Sequence, residues 1–233
     1  MKFMSFNTQH CNAYLEGKIN FNVMADAIKK VKPDFVGFQE MRGAGKALDY
    51  ADQTEILSAK TGLPYRYFGK AIDFEGGPYG NSVISRFPFC SAKTIPIPDP
   101  DPKTGNKYYE TRALVKIRLQ NGITVLVTHF GLNEDEQKNA VKTILENLEE
   151  EKCILMGDFN LTPDSEILKP IREKMKDTAE PFCKDLLSFP SDKPYEKIDY
   201  IFVTPDVEVI SADIPEIVAS DHRPHVAEVS LKI

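Results

Sequence analysis

Three things are scarce in this sequence, and each scarcity removes a class of protein. Cysteine occurs four times (Cys11, Cys90, Cys153, Cys183), never in a close pair of metal-ligand or redox spacing, so neither a zinc ribbon nor a disulfide framework is indicated. No apolar run approaches the roughly 20 residues needed to span a bilayer, and Met1 leads into a strand-like segment rather than a charged and then apolar leader, so a cytoplasmic protein is expected. Basic excess is also missing. Lys and Arg total 29 against 35 Asp and Glu, a net charge of -6, which speaks against a surface devoted to long nucleic acids. Carboxylates gathered around a cation would shift the balance the same way. There is no internal repeat and no low-complexity tract. What remains is an ordinary globular composition over 233 residues, read as one domain spanning 1–233.

The apolar patterning is mixed. Lys2–Asn7 reads as a buried strand, 18–31 as a helix stopped by Pro33, and Asp34–Gln39 as a second strand. A helix is predicted near 50–61, ending at Gly62 and Pro64. Strands follow at 64–70, 79–86, 90–97, 107–119 and 122–129, with Asn121-Gly122 as the hairpin turn between the last two. The Pro-rich stretch 96–106 is an exposed loop. An amphipathic helix over 134–150, a strand at Cys153–Met156, a short helix near 164–170 and strands at 198–203, 207–212 and 225–231 complete the chain. Strand-rich halves with few helices suggest an α+β fold of two packed sheets flanked by helices.

Polar residues recur where these strands end: Asn7, Glu40, His129, Asp158 with Asn160, Asp199, and Asp221 with His222. Taken singly, each has a plain structural explanation. Asn7 and the segment GDFN suit turns, Glu40 suits a surface, and His129 suits a satisfied core position. Asp199 resists this treatment, because a carboxylate within an apolar strand needs a partner. Six strands each offering a carboxylate, amide or imidazole at one end exceed what chance supplies, and strand ends set side chains on a rigid frame.

The segments MSFNTQ, PDFVGFQE, YGNSVISRFP, VLVTHF, ILMGDFN, KIDYIFV and SDHRPHVAEV resemble, in this order, the endonuclease/exonuclease/phosphatase superfamily, which includes deoxyribonucleases, AP endonucleases, sphingomyelinases, inositol polyphosphate 5-phosphatases and deadenylases. The resemblance runs from residue 3 to residue 229 and implies a four-layered α/β/β/α sandwich. It departs from the family twice. AP endonucleases carry tyrosine where this chain has His129, and the closing motif reads Arg223-Pro224-His225, two side chains that either add cationic contacts near a substrate or serve as a surface Arg and a strand-end His.

The resemblance implies a phosphoester hydrolase with Mg²⁺, for which Mn²⁺ substitutes. Glu40 is the main metal ligand, with Asn7 beside it and Asp221 in the shell; hard cations prefer such oxygen donors. Asp158 activates the attacking water, Asn160 holds that water or a phosphate oxygen, His222 oriented by Asp199 donates to a non-bridging oxygen, and His129 sits at the leaving oxygen; the reverse division, with a His–acid pair as base, is the family's alternative. Asn81 and Arg112 are expected to touch phosphate, and Asp73 or Glu75 to orient His129. The aromatic residues Tyr65, Tyr67, Phe68, Phe74 and Tyr79 offer a stacking platform or, as the favoured reading, a packed core. A small or lipid-derived phosphate ester is the favoured substrate and a monomer the expected state. Nuclease action on DNA or RNA is the alternative, and a non-catalytic binding domain on the same fold the remote one.

Overall fold

Alternate residues along the central strands enter different cores, and that alternation builds the molecule. The structure is a computed structural model and describes all residues except 48–49, 183–185 and 232–233, so Cys183 lies outside the described residues. In chain order the elements are β1 (Lys2–Asn7), β2 (Asn12–Ala13), β3 (Lys18–Ile19), α1 (Phe21–Val31), β4 (Phe35–Arg42), α2 (Gln53–Thr61), β5 (Tyr65–Phe74), β6 (Gly77–Ser85) and β7 (Phe89–Pro96). They continue as β8 (Ala113–Leu119), β9 (Thr124–His129), α3 (Glu134–Asn147), β10 (Cys153–Asp158), α4 (Lys169–Arg172), β11 (Lys176–Asp177), β12 (Asp199–Val203), β13 (Val207–Asp213) and β14 (His225–Leu231).

Two six-stranded sheets run β13-β14-β1-β4-β6-β5 and β11-β12-β10-β9-β8-β7. Phe3, Phe35, Val115, Val127, Ile154, Met156 and Ile201 fill the space between them. Their chain neighbours Met4, Val36 and Ile84 face α1 and α2 with Met24, Ile28 and Leu57. Leu114, Leu126, Leu155 and Phe202 face α3 and α4 with Ala140, Ile144 and Ile171. Strands covered on both faces read as continuous apolar runs, as these do, and each fully buried Leu, Ile or Phe contributes about 1.5–3 kcal/mol. The result is the expected α/β/β/α sandwich.

Local chemistry sets the helix ends. Asn20 accepts from the backbone N–H groups of Asn22 and Val23, so α1 starts at Phe21 rather than 18. Asp52 accepts from Glu55 N–H to open α2, and Gly62 closes it at φ 73°. Glu136 reaches back to accept the Asn133 N–H at the start of α3. Two other expectations shift. The helix near 164–170 is a single turn at 166–168 followed by α4. The strand expected from 107 begins at Ala113, because the preceding loop is held by α3 instead of by a neighbouring strand.

Only two of these pairings are parallel within the six-stranded sheets, β1 with β4 and β9 with β10. Parallel strands emerge at the same edge. The register sets Asn7 beside Gln39 and His129 beside Asp158, while the antiparallel neighbour β12 brings Asp199 opposite Asp158. Among the described residues no helix is long and apolar enough to cross a membrane.

Candidate active site

Asp158 is the hub. Buried at the end of β10, its Oδ2 accepts from Asn7 Nδ2 at 3.0 Å and lies 3.5 Å from His129 Nε2 and 3.6 Å from His222 Nε2. The other oxygen accepts from the backbone N–H of Asn160 at 2.9 Å. Burial and the neighbouring Asp199 push its carboxyl up to about 7, against the opposing pull of His222.

His222 is held by Asp199, with Nδ1 and Oδ2 2.8 Å apart. Burial opposes a charged ring, but Asp199 and Asp158 outweigh it and push His222 up to about 10, so the ring carries a proton at neutral pH. Phe189 packs against the imidazole, its ring centroid 4.8 Å away. Ser188 Oγ accepts the backbone N–H groups of Ile198 and Asp199, which anchors the start of β12. Neither residue was anticipated from sequence, since an irregular segment offers no periodicity to read.

Glu40 reaches the cleft through a bulge. The β4–β6 register slips between Phe38 and Met41, and Glu40 adopts φ 61°, which turns its carboxylate to where Asn7 Nδ2 donates to it at 3.0 Å. Bulges and left-handed non-glycine residues recur where a side chain must be re-aimed. Asp221 stands nearby, its Oδ1 accepting from Ser220 Oγ. Burial and Glu40 raise its carboxyl above the usual range. Tyr79 is buried beside Glu40 and raised for the same two reasons.

His129 differs from expectation. Its Nδ1 lies 3.1 Å from Arg112 Nη1. Guanidinium only donates, so Nδ1 accepts and the neutral ring carries its proton on Nε2, on the side of Asp158. Burial and the Arg112 charge hold this imidazole well below its ordinary range. Arg112 in turn pairs with half-buried Glu110, whose carboxyl burial raises. The expected orienting acids are engaged elsewhere, Asp73 with Lys70 and Glu75 with Arg42. Glu110 was legible only as the acid two residues before Arg112 in YETR.

Other expectations divide. Asn160 donates to the Phe130 carbonyl and lies 3.3 Å from His129 Nε2. Asn81 is buried outside the cleft wall, where its amide donates to the Ala113 carbonyl of the facing sheet at 2.8 Å. Arg223 Nε donates to the Ser191 carbonyl. His225 sits in the core between Asp199 O and Thr178 Oγ1, and burial lowers its pKa, so it adds no cation to the cleft. Among the described residues, the aromatic side chains of β5 and β6 line no part of the cleft; Phe74 packs on buried Tyr79 with ring centroids 5.4 Å apart, while Tyr65 is 40% exposed, so the core reading holds for Tyr79 and fails for Tyr65.

The cleft encloses about 600 Å³ and is walled by Glu40, Arg112, His129, Asp158, Asp221 and His222, with Tyr108, Leu132 and Phe189 at its sides. Its donor set is oxygen-rich; burial chiefly raises the Asp158 and Asp221 carboxyls, and Asp199 and Glu40 add to the rise, so the site crowds buried negative charge that a hard cation would relieve. Among the described residues, Asp158, Asp199 and His222 also place ligand-capable atoms within 4.8 Å of one another. There, however, the 2.8 Å Nδ1–Oδ2 contact shares a proton that a cation would have to displace. Asn7 turns its N–H₂ toward both carboxylates, and its Oδ1 accepts from Gln9 N–H at 3.1 Å, so it bridges the acids rather than presenting an oxygen to a cation.

No curated protein matches the sequence. Solved structures share the fold at low identity. An endonuclease/exonuclease/phosphatase from Bacteroides vulgatus is 22% identical with a TM-score of 0.76, covering 99% of this chain and 98% of that one. A mannosyl-6-phosphatase from Bacteroides thetaiotaomicron is 16% identical with a TM-score of 0.74, covering 99% and 100%. The catalytic domain of human Nocturnin with bound sulfate is 18% identical with a TM-score of 0.74, covering 100% and 94%. A family model matches residues 4–222, and with the motif residues of six of the seven segments meeting where strands of both sheets end, the chain belongs to the endonuclease/exonuclease/phosphatase family.

Proposed function

We propose that this phosphate-ester hydrolase uses Mg²⁺, with Mn²⁺ able to replace it, and acts on a small phosphorylated molecule. The observation that carries the reading is the convergence of Asn7, His129 and His222 on one oxygen of Asp158, with Asp199 behind His222. Glu40 and Asp221 are the residues that would hold the cation. When bound, it supplies charge to a phosphate oxygen and eases attack on phosphorus.

Asp158 takes a proton from the attacking water, whose oxygen forms the new bond to phosphorus. The bond to the leaving group breaks with its electron pair on the ester oxygen. His129 meets that oxygen through its Nε2–H, and the proton it needs comes from solvent, because a neutral imidazole is a poor acid. Protonated His222 donates to a non-bridging oxygen as charge builds. Asn160 steadies the water or a phosphate oxygen.

Acid dominates the cleft, with Glu40, Glu110, Glu196 and Asp221 against Lys107 and Arg112. That favours a compact ester over a polyanionic strand, whose binding scales with the phosphates neutralised. A relative of the same fold acting on a phosphorylated sugar supports the same choice. The test is hydrolysis of bis-p-nitrophenyl phosphate, p-nitrophenyl phosphate and plasmid DNA with Mg²⁺, with Mn²⁺ and with EDTA, for wild type and His222→Ala. Metal-dependent turnover of the small esters, lost in the variant, is expected. A fully active variant would overturn the assignment of His222, and faster plasmid cleavage would overturn the substrate class.

A further inference from the structure

A second cavity of about 460 Å³ opens off the cleft and shares Lys107, Leu132, Asn160 and Leu161 with it. Its position is informative, because Asn160 Nδ2 lies 3.3 Å from His129 Nε2, the donor assigned to the leaving oxygen. Asn160 lines both spaces, so the cavity opens beside the position assigned to the leaving oxygen.

Its outer wall is rigidly built. Thr104 donates through its N–H and Oγ1 to Asp135 Oδ2 at 2.8 and 3.1 Å, and the Tyr109 hydroxyl donates to the same oxygen at 2.7 Å. Lys107 N–H donates to Asn133 Oδ1 at 2.8 Å, and Asn133 Nδ2 donates back to the carbonyls of Lys107 and Tyr108. Gly105 is required at this seam, since a Cβ there would stand 2.2 Å from Asn133 Oδ1. The Pro-rich segment is thus bolted to the start of α3 as a fixed wall.

The lining selects chemistry. Gln137 is only 5% exposed, and its Nε2 donates to the Gly131 carbonyl at 3.0 Å. Its Oε1 and the Lys107 Nζ have no partner among the described residues, so one acceptor and one donor stay free. Among the described residues no aromatic ring lines the cavity, so a base has nothing there to stack on. Three aliphatic residues (Leu132, Leu161, Ile167) form too small a patch for an acyl chain. The size falls within the range of about 300–1,000 Å³ common for small-molecule sites.

We propose that this cavity is the leaving-group subsite and takes a neutral, hydroxyl-rich group, a monosaccharide or similar polyol, through Gln137 and Lys107. This rests on the phosphoester-hydrolase reading. The subsite is tested by kcat/KM for glucose 6-phosphate relative to p-nitrophenyl phosphate, in wild type, Gln137→Leu and Gly105→Val, the leucine variant guarding against misfolding of the other. The ratio should fall about tenfold in Gln137→Leu, as expected for one lost hydrogen bond at the upper end of its worth, and should also fall in Gly105→Val, whose side chain displaces Asn133 and the wall it holds. A ratio unchanged in both folded variants would overturn the subsite.

A second readout separates this from failure of the catalytic reading. Glucose 6-phosphate should shift the side-chain amide NMR signals of Gln137 and Asn106 where inorganic phosphate alone does not. If wild type cleaves no ester yet the signals shift, the hydrolase reading falls and the subsite stands. If they do not shift, the subsite falls.

Discussion

Replacing Asp199 by Asn changes one charge and almost no volume, and the structure fixes what should follow. Asp199 Oδ2 is 2.8 Å from His222 Nδ1, and with Asp158 at 3.6 Å from Nε2 it lifts the imidazole to about 10 despite burial. Without that charge only Asp158 and Asp221 oppose burial, so the ring should titrate lower and carry its proton in a smaller share of molecules at neutral pH. The donor to the developing phosphorane charge is then weakened and no longer held by a carboxylate. Positioned donors and acid–base groups are worth about 10²–10⁴ in rate, so kcat should fall by that factor. KM should stay near wild type, because the interaction matures only in the transition state.

The pH dependence supplies a second check. His222 has a folded pKa above its unfolded value of about 6.5, so its contribution to stability is fully present below 6.5 and is lost as pH rises through about 10. The Tm difference between wild type and Asp199→Asn should therefore be largest below pH 6.5 and close at the alkaline end. Steady-state hydrolysis of bis-p-nitrophenyl phosphate from pH 5 to 10, with thermal melts over the same range, provides both readouts. A variant within threefold of wild type at pH 8, with an unchanged profile, would refute the assigned role of the pair.

Two further outcomes are expected. Arg112→Gln removes a charge but not the burial that holds His129 low, so Nδ1 should take up a proton at a higher pH than in wild type yet still below the ordinary imidazole value of about 6.5, and the pH–rate profile should change in that range; ¹⁵N NMR of the histidines would show the shift and whether wild-type Nε2 carries the proton. Glu40→Gln removes one of the crowded carboxylates, so the metal-free protein should melt higher than wild type. The stabilisation that Mg²⁺ gives wild type, about 2.7 kcal/mol at a hundredfold excess over Kd, should vanish in the same variant, as thermal melts with Mg²⁺ and with EDTA would show.

The sequence carried the sheets almost intact. Phe3, Phe35, Ile154 and Met156 lie in runs so continuously apolar that only strands covered on both sides suit them, and Gly62 marks the end of α2 where the chain predicted it. Glu40, Asp158, Asp199 and His222 were legible for a related reason: polar side chains closing apolar strands are costly unless used. These signals are local in the chain.

What the sequence could not decide depends on partners distant along the chain. His129 takes Arg112 rather than Asp73 or Glu75 because β8 and β9 are neighbours in one sheet, whereas β5 ends in a hairpin whose acids find Lys70 and Arg42 first. Asn81 faces across to the other sheet, and His225 is drawn into the core by its pairing opposite Ser5. Side-chain type and strand period determined which residues could do chemistry. Sheet order and register, set by packing two faces at once, decided which of them meet.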